Sequence, residues 1–352
     1  MRVIRGLNEG FLHISTRLDR ANINYPSMSG LRLSAEHRMW LLNILEASSD
    51  TIKAWDRIPV SILRFTIATE TYKELPDDAH FARASLNLTI ASEACHYIQT
   101  TETDSLIVFG VPKKKFDWFN GLTLIERIKA CDSPRFAIRL NINPKSLVKD
   151  NTAESAIYNT CLILNTELNG LSKGDYVSSN YDGFLSDYGT TAHEIHNQMI
   201  EMLTAEVRPA YVANATGLSL VEVSNASRGL TRKTKKPINK QRGRTPIVET
   251  SFARSPMQAT LFMLIYTIVG KSIRGNANAK AALYSYRQLK SMLEFIGVPD
   301  SDQLQINECL NIMMGTISGE LMWGKCDKCG LRVIMSPQRP PMCSCGKPVI
   351  KT

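Results

Sequence analysis

The sequence predicts a mainly α-helical protein with short β strands, and three observations lead to this fold class. The i, i+3, i+4 spacing of apolar side chains, typical of amphipathic helices, dominates the 352 residues. Two segments of the first half resemble each other, which predicts a tandem pair of helical units. Four of the eight cysteines lie together in residues 324–349, which predicts a small, metal-clamped domain at the end of the chain.

The two similar units are predicted at residues 1–75 and 81–170. In each unit a helical segment is followed by a short run of alternating apolar and polar residues, which predicts a strand. When the units are aligned, Arg64 of the first predicted strand matches Arg139 of the second. Chance similarity between two amphipathic helices is the competing explanation. The Pro- and Asp-rich segment "KELPDDAH" is the expected connector.

The second half of the chain begins with a predicted linker. Residues 171–192 are rich in Gly, Ser, Asp and Tyr and have no helical period. We expect a helical domain at residues 193–318 and a ribbon at residues 319–352. The apolar run at residues 259–270 is too short to span a bilayer and predicts a buried core helix.

Four cysteines outside the terminal cluster have apolar neighbours, and we interpret them as small core residues. They are Cys95, Cys131, Cys161 and Cys309. The sequence contains no Gly-rich phosphate loop, no Ser/His/Asp arrangement and no paired carboxylates that require catalysis. We therefore expect a protein that is not an enzyme, and one that is soluble and cytoplasmic, since no secretory signal stands out.

Residues 208–230, "RPAYVANATGLSLVEVSNASRGL", have the spacing of a helix-turn-helix. Ala213 lies four residues before Gly217, which can supply a left-handed turn, and Ser219 is the predicted N-cap of the second helix. The expected core between the helices consists of Val212, Leu218, Leu220 and Val223. The expected outward side chains are Ser224, Asn225, Ser227 and Arg228, whose polar ends suit base edges and phosphates.

A basic segment follows this motif and continues the positive charge. The cations from Arg228 onward are Arg228, Arg232, Lys233, Lys235, Lys236, Lys240, Arg242 and Arg244. No acidic residue lies between Glu222 and Glu249, and the whole chain has a formal net charge of +9. Such a run suits the DNA backbone, although a solvated loop without a ligand is the alternative.

The terminal cysteines form two short pairs. Cys326 and Cys329 are spaced C-x-x-C, and Cys343 and Cys345 are spaced C-x-C, which departs from the usual second C-x-x-C. Four thiolates at this spacing predict one structural Zn²⁺ per chain, held in a closed tetrahedral site. A redox motif would need a thioredoxin-like context, and disulfides would need an oxidising compartment, and neither is indicated.

These segments resemble the FlhD/FlhC family, the bacterial master activators of flagellar operons. Residues 193–347 are similar to FlhC, in the T-G-L-S helix-turn-helix, the basic Pro-containing segment and the helix that leads into the cysteines. Residues 86–170 resemble FlhD, and residues 6–72 resemble a second, more diverged FlhD. The chain therefore resembles a natural FlhD–FlhD–FlhC fusion.

This resemblance implies a function and a set of partners. The family assembles as four FlhD and two FlhC chains, so a homodimer of this chain would reproduce that composition. The implied partners are double-stranded DNA and RNA polymerase, at flagellar or conjugative-element operons, in the bacterial nucleoid. The implied DNA-facing residues run from Ser219 to Arg228 and from Arg232 to Arg244, and the implied zinc ligands are the four terminal cysteines.

Three other hypotheses stay open at this point. An architectural or single-strand binder would show weak sequence preference and a dominant salt dependence. A zinc-dependent nuclease would need an open metal position and activating carboxylates. A protein-binding adaptor would use the ribbon to dock a partner and leave the basic segment solvated.

Overall fold

The computed structural model divides the chain into two compact units, Met1–Tyr181 and Asp182–Thr352. The boundary falls inside the predicted linker. The structure describes residues 57–67, 78–100, 105–111, 113–133, 136–140, 150–172, 192–234, 252–270, 279–337, 343, 345–347 and 349–351. Among these, no helix combines the length and the apolar character that crossing a membrane requires.

The described part of unit 1 contains five helices and two strands. In chain order they are β1 (Leu63–Thr66), α1 (Asp78–Thr100), α2 (Ser105–Phe109), α3 (Lys113–Gly121), α4 (Leu124–Asp132), β2 (Ala137–Leu140) and α5 (Ala153–Ser172). Helix α1 packs against α3 and α4, and α2 packs against β1. Each strand lies within one of the alternating runs that predict it.

Strands β1 and β2 form a two-stranded antiparallel sheet in which Arg64 lies opposite Arg139. These two residues are also equivalent in the predicted repeat. Antiparallel pairing that sets a residue opposite its own equivalent places a local two-fold axis at that pair, as in a symmetric dimer. The register is therefore the one that two equivalent units would give. The repeat itself stays a prediction, because residues 1–56 lie outside the described residues.

An aromatic cluster joins four elements of unit 1. The Phe65 ring of β1 meets Phe109 of α2 at 5.5 Å and Phe116 of α3 at 5.7 Å, measured between ring centroids. Tyr97 of α1 meets Phe109 at 5.8 Å, edge to face. All four side chains are almost fully buried, so edge-to-face contacts and apolar burial together stabilise this core.

The described part of unit 2 contains six α-helices and three strands. In chain order they are α6 (Ala192–Thr204), α7 (Pro209–Thr216), α8 (Leu220–Thr234), α9 (Pro256–Gly270), α10 (Ala279–Ile296), α11 (Ile306–Ser318), β3 (Met322–Cys326), β4 (Arg332–Met335) and β5 (Val349–Lys351). A short 3₁₀ turn, Asp300–Asp302, precedes α11. The strands form an antiparallel sheet in the order β4-β3-β5.

Helix α9 is the centre of unit 2. Residues 258–269 are all buried, which confirms that the apolar run forms a core helix. The helix packs against α10, α11 and β4. The Ile334 N–H donates to Thr260 Oγ1 at 3.1 Å and so ties the ribbon to this helix. The ribbon therefore shares the core of the helices and does not stand apart from them.

The fold class is confirmed in its coarse form, since the described residues are mainly helical with two small antiparallel sheets. The four isolated cysteines are buried, as the sequence predicts. Burial raises the pKa of the Cys95 thiol to about 11 and raises that of Cys161 further, which keeps both as inert thiols. These cysteines therefore act as core residues.

Candidate metal centre and nucleic-acid interface

The four terminal cysteines converge on one point of the ribbon. Their Sγ atoms all lie within 4.8 Å of one another, and among the described residues this is the group that could hold a metal ion. Cys326 Sγ lies 3.3 Å from Cys345 Sγ, and Cys329 Sγ lies 3.6 Å from Cys343 Sγ. Four sulfurs around one Zn²⁺ would be separated by about 3.8 Å, given Zn–S bonds of about 2.3 Å. The donor set therefore fits a tetrahedral thiolate site.

Two turns with one left-handed glycine each present these sulfurs. Gly330 and Gly346 follow the second cysteine of their pairs and have φ angles of 73° and 80°. The Gly330 N–H donates to Cys326 O at 2.8 Å, and the Gly346 N–H donates to Cys343 O at 2.7 Å. The C-x-C pair thus forms the same kind of turn with one residue fewer, so its departure from the usual spacing does not disturb the cluster.

Close packing of the strands brings the two cysteine pairs together. A Cβ atom at Gly324 of β3 would lie 2.6 Å from Val349 Cγ1 and 3.0 Å from Ile350 O, both on β5, and would also collide with the Met335 side chain of β4. Only glycine allows this approach. Strand β5 begins shortly after Cys345, and its first residue, Val349, lies opposite Cys326 at the end of β3.

The crowding of the thiols sets their protonation. A hydrogen bond with Cys329, together with burial, raises the pKa of the Cys343 thiol far above its ordinary value. Burial also raises the pKa of Cys326. Neutral thiols are therefore favoured when no cation is present, whereas a coordinated metal ion deprotonates its thiol ligands. A metal ion would therefore bind here only in competition with protons.

Two helices joined by a short turn, α7 and α8, lie where the sequence predicts the helix-turn-helix. Gly217 ends α7 with a φ angle of 72°, and its N–H donates to Ala213 O at 2.9 Å. Ser219 Oγ accepts a hydrogen bond from the Glu222 N–H at 3.2 Å, and Glu222 Oε2 accepts one from the Ser219 N–H at 2.9 Å. This reciprocal capping box fixes the start of α8 and confirms Ser219 as its N-cap.

The residues of α8 that are buried differ from those that the sequence predicts. Val212 and Val223 are fully buried, as expected, but Leu220 is 53% exposed and does not belong to the core. Ser227 is only 8% exposed, so its predicted outward position is wrong. The buried face follows Val223, Ser227 and the half-buried Leu230, and α8 packs against α6 and α7.

The opposite face of α8 is exposed and cationic. Val221, Asn225, Arg228 and Arg232 follow one another at spacings of four, three and four residues, so they form one stripe along the helix. All four are exposed, and among the described residues Arg228 and Arg232 have no ion-pair partner. We call these four residues the outer stripe. Ser219 is also exposed, Ser224 is half-buried, and Lys233 is exposed beside the stripe.

Two asparagines of α11 anchor the motif to the core of unit 2. Asn307 Oδ1 accepts a hydrogen bond from the Arg208 N–H at 3.0 Å, and its Nδ2 donates to Glu206 O at 3.0 Å. Asn311 Oδ1 accepts one from Tyr211 Oη at 2.9 Å. Both asparagines are buried, and they fix the turn before α7. Sequence reasoning missed them, because roughly a hundred residues separate the partners.

A second copy of the capped turn lies in unit 1. Residues 121–126, "GLTLIE", match residues 217–222, "GLSLVE", in sequence. Thr123 and Glu126 form the same capping box at the start of α4. Ile125 is 57% exposed, and its counterpart Val221 is 67% exposed. The matching hexapeptides could have revealed this pair from the sequence.

The remaining predicted DNA-facing cations cannot be placed. Lys235, Lys236, Lys240, Arg242 and Arg244 lie outside the described residues. The candidate interface is therefore defined by α8 alone.

Comparisons with protein families, with curated proteins and with solved structures find no match to this chain.

Proposed function

We propose that this protein is a sequence-specific DNA-binding transcription activator that uses α8 as its recognition helix. One observation carries the proposal, namely the outer stripe on the second of two helices joined by a capped turn, whose two arginines have no ion-pair partner among the described residues. In this motif the second helix enters the major groove, which is about 12 Å wide and admits one α-helix.

The charge distribution supports DNA as the ligand. Arg228 and Arg232 lie on the exposed face, Lys233 lies beside them, and the following residues add five more cations without an acid before Glu249. The acid nearest the tip of α8, Glu222, is engaged in the capping box. The outer stripe itself therefore presents no carboxylate to a phosphate group.

Zinc would supply structure to this unit and take no part in chemistry. Cys326, Cys329, Cys343 and Cys345 would each give one thiolate, which closes the coordination sphere. The ribbon packs on α9, and α9 packs on α11, whose asparagines hold the turn before α7. Metal binding would thus stabilise the helices that carry the recognition helix.

Unit 1 would serve assembly. Two FlhD-like units in one chain, related by the two-fold at Arg64 and Arg139, would act as a built-in dimer. A homodimer of the whole chain would then contain four such units and two recognition helices. Two-fold symmetry would set the spacing of the half-sites on the operator. RNA polymerase, at flagellar or conjugative-element promoters in the nucleoid, is the partner that the family resemblance implies.

Selection from a random-sequence duplex library, with the zinc-loaded full-length protein, tests specific binding. We expect one enriched sequence and much weaker binding to a shuffled duplex of equal composition. Equal binding to both duplexes would support an architectural DNA-binding protein and would contradict sequence-specific binding. Run-off transcription from the enriched sequence, with and without the protein, tests activation separately, and specific binding without stimulation would refute only that part.

Light scattering of the pure protein tests the assembly. The proposal predicts twice the mass of one chain, and a monomer at all concentrations would remove the four-plus-two arrangement.

A further inference from the structure

We infer that Val221 is a specificity residue that recognises the C5-methyl group of a thymine in the major groove. The inference rests on the proposed function and extends it by naming a base. Val221 is 67% exposed and Leu220 is 53% exposed, and of these two only Val221 lies on the outer stripe. Valine is a weaker helix former than alanine, and an exposed valine side chain gains nothing from burial. Its position therefore suggests a ligand surface.

The place of Val221 in the outer stripe selects the ligand. It lies in the first turn of α8, and in a helix-turn-helix the N-terminal residues of the recognition helix contact base edges. Asn225 follows one turn later, about 6 Å along the axis at about 1.5 Å per residue. Arg228 and Arg232 follow towards the C-terminal end, where their guanidinium groups are suited to phosphates. The stripe thus changes from apolar to amide to cationic along its length.

The order of side chains along the outer stripe predicts a preference for particular bases. The only apolar group on a base edge in the major groove is the methyl group of thymine, and apolar side chains contact it in known complexes. Asparagine is suited to adenine, with which it forms two hydrogen bonds. About 6 Å corresponds to roughly two base steps of about 3.4 Å. The outer stripe therefore predicts a thymine under Val221 and an adenine within about two steps of it.

The chain provides a matched control in Ile125. It has the same place in the other capped turn and is 57% exposed. However, the positions that correspond to Asn225 and Arg228 are Lys129 and Asp132, and α4 ends at Asp132. An acid in place of an arginine opposes phosphate contact. An exposed β-branched residue in the first turn is thus shared, whereas the polar and cationic continuation belongs to α8.

Replacing thymine by uracil removes the methyl group and leaves every hydrogen-bonding group in place. The test measures the Kd of the full-length protein for the selected duplex and for duplexes with one thymine changed to uracil. We expect one position per half-site at which uracil weakens binding about threefold to fivefold, the usual effect of burying one methyl group. Val221→Ala should reduce this preference, because it removes two of the methyl groups that would contact the thymine, while Ile125→Ala should keep the full preference.

Two results would contradict the role of Val221 in thymine recognition but would leave the proposed function intact. One is tight, specific binding with no thymine position sensitive to uracil. The other is a Val221→Ala protein that binds more weakly but keeps the full thymine preference, because that pattern indicates a structural role. A protein that enriches no sequence at all would overturn both. Circular dichroism of the two variants verifies that each is folded, which is expected since both side chains are exposed.

Discussion

The two capped turns of this chain differ in what their cations do. In the α3–α4 pair, Lys113 forms an ion pair with Asp117 at 2.7 Å, and Lys115 Nζ donates to Ile67 O at 2.9 Å. Arg127 donates to backbone carbonyls of its own turn. In the α7–α8 pair, Arg228 and Arg232 are exposed and have no such partner among the described residues.

This difference indicates which features of the two turns serve folding and which could serve ligand binding. The hexapeptide shared by the two turns specifies a capping box and an exposed apolar residue, and both turns have them. The shared residues therefore account for folding of the turn and not for a ligand. Helix α8 differs in its greater length, in the absence of acids between Glu222 and Glu249, and in two exposed arginines that have no ion-pair partner among the described residues. We therefore interpret α3–α4 as a structural turn and propose the DNA-binding role for α7–α8 alone.

The largest expected effect concerns the cluster of four cysteines that could hold a metal ion, which among the described residues only unit 2 contains. Cys326→Ser should abolish stoichiometric zinc and unfold the ribbon, because metal ligation in small zinc domains contributes about 10 kcal/mol or more to folding. Zinc analysis and hydrogen exchange over β3, β4 and β5 measure both effects. Cys95→Ser in unit 1 is the control and should retain the metal. Full zinc occupancy in Cys326→Ser would refute the assignment of the ligands.

A smaller effect is expected from the asparagines that hold each pair of helices. Asn307→Ala leaves the Arg208 N–H and the Glu206 carbonyl without their partner and should lower the local unfolding free energy by about 2–3 kcal/mol. Asn87 makes one such bond, from its Nδ2 to Cys131 O at 3.1 Å, and Asn87→Ala should cost about 1 kcal/mol. Hydrogen exchange of α7 and α4 gives the two values. An equal cost at both sites would contradict the described anchoring.

The two glycines at the start of the hexapeptides should respond with opposite signs. Gly217 has a φ angle of 72°, so Gly217→Ala should destabilise α7–α8 by about 1 kcal/mol. Gly121 is the last residue of α3 and has no positive φ, so Gly121→Ala should stabilise its helix by up to about 1 kcal/mol. At neither position would a new Cβ meet an atom within 4 Å, so the contrast isolates the backbone. Local hydrogen exchange measures it, and shifts of equal sign would be inconsistent with it.

The smallest effect is a pH dependence that the two caps share. Hydrogen bonds from Ser219 lower the pKa of Glu222 below its ordinary value, and those from Thr123 lower that of Glu126. Because the folded pKa is depressed, the stabilisation is complete above the ordinary glutamate pKa and is lost as the pH falls through the lowered one. Carbon-13 titration of the two carboxyl groups should give two low values. A value at or above the ordinary one at either site would show that its capping box does not form in solution.

Local features of the helix-turn-helix could be predicted from the sequence because they depend on neighbouring residues. A glycine four residues after Ala213 and a serine three residues before Glu222 suffice for the turn and the cap. The face of α8 that is buried could not be predicted, because it depends on where α6 lies. The prediction therefore placed Leu220 inside and Ser227 outside, and the structure has the reverse.

The convergence of the four cysteines was also predictable, because two closely spaced cysteine pairs are typical of a thiolate metal site. The close approach of β3 and β5 at Gly324 was not predicted, because it depends on the pairing of strands that are distant in sequence. The same limit applies to the asparagines of α11. Contacts between distant segments set the position of the candidate DNA-binding face. The side chains that form this face come from one short segment, so their chemistry can be read directly from the sequence.

The salt dependence of DNA binding tests the central claim most directly. Log K is measured against log salt concentration on the selected duplex for the wild type, for an Arg228→Ala/Arg232→Ala variant and for Lys129→Ala. Each phosphate contact contributes a slope of about −0.9, so losing two contacts should flatten the slope by about two units. Lys129, which lies near Glu126 in α4, should leave it unchanged. An unaltered slope in the double variant, or an equal change in Lys129→Ala, would contradict the assignment of α8 as the DNA-binding helix.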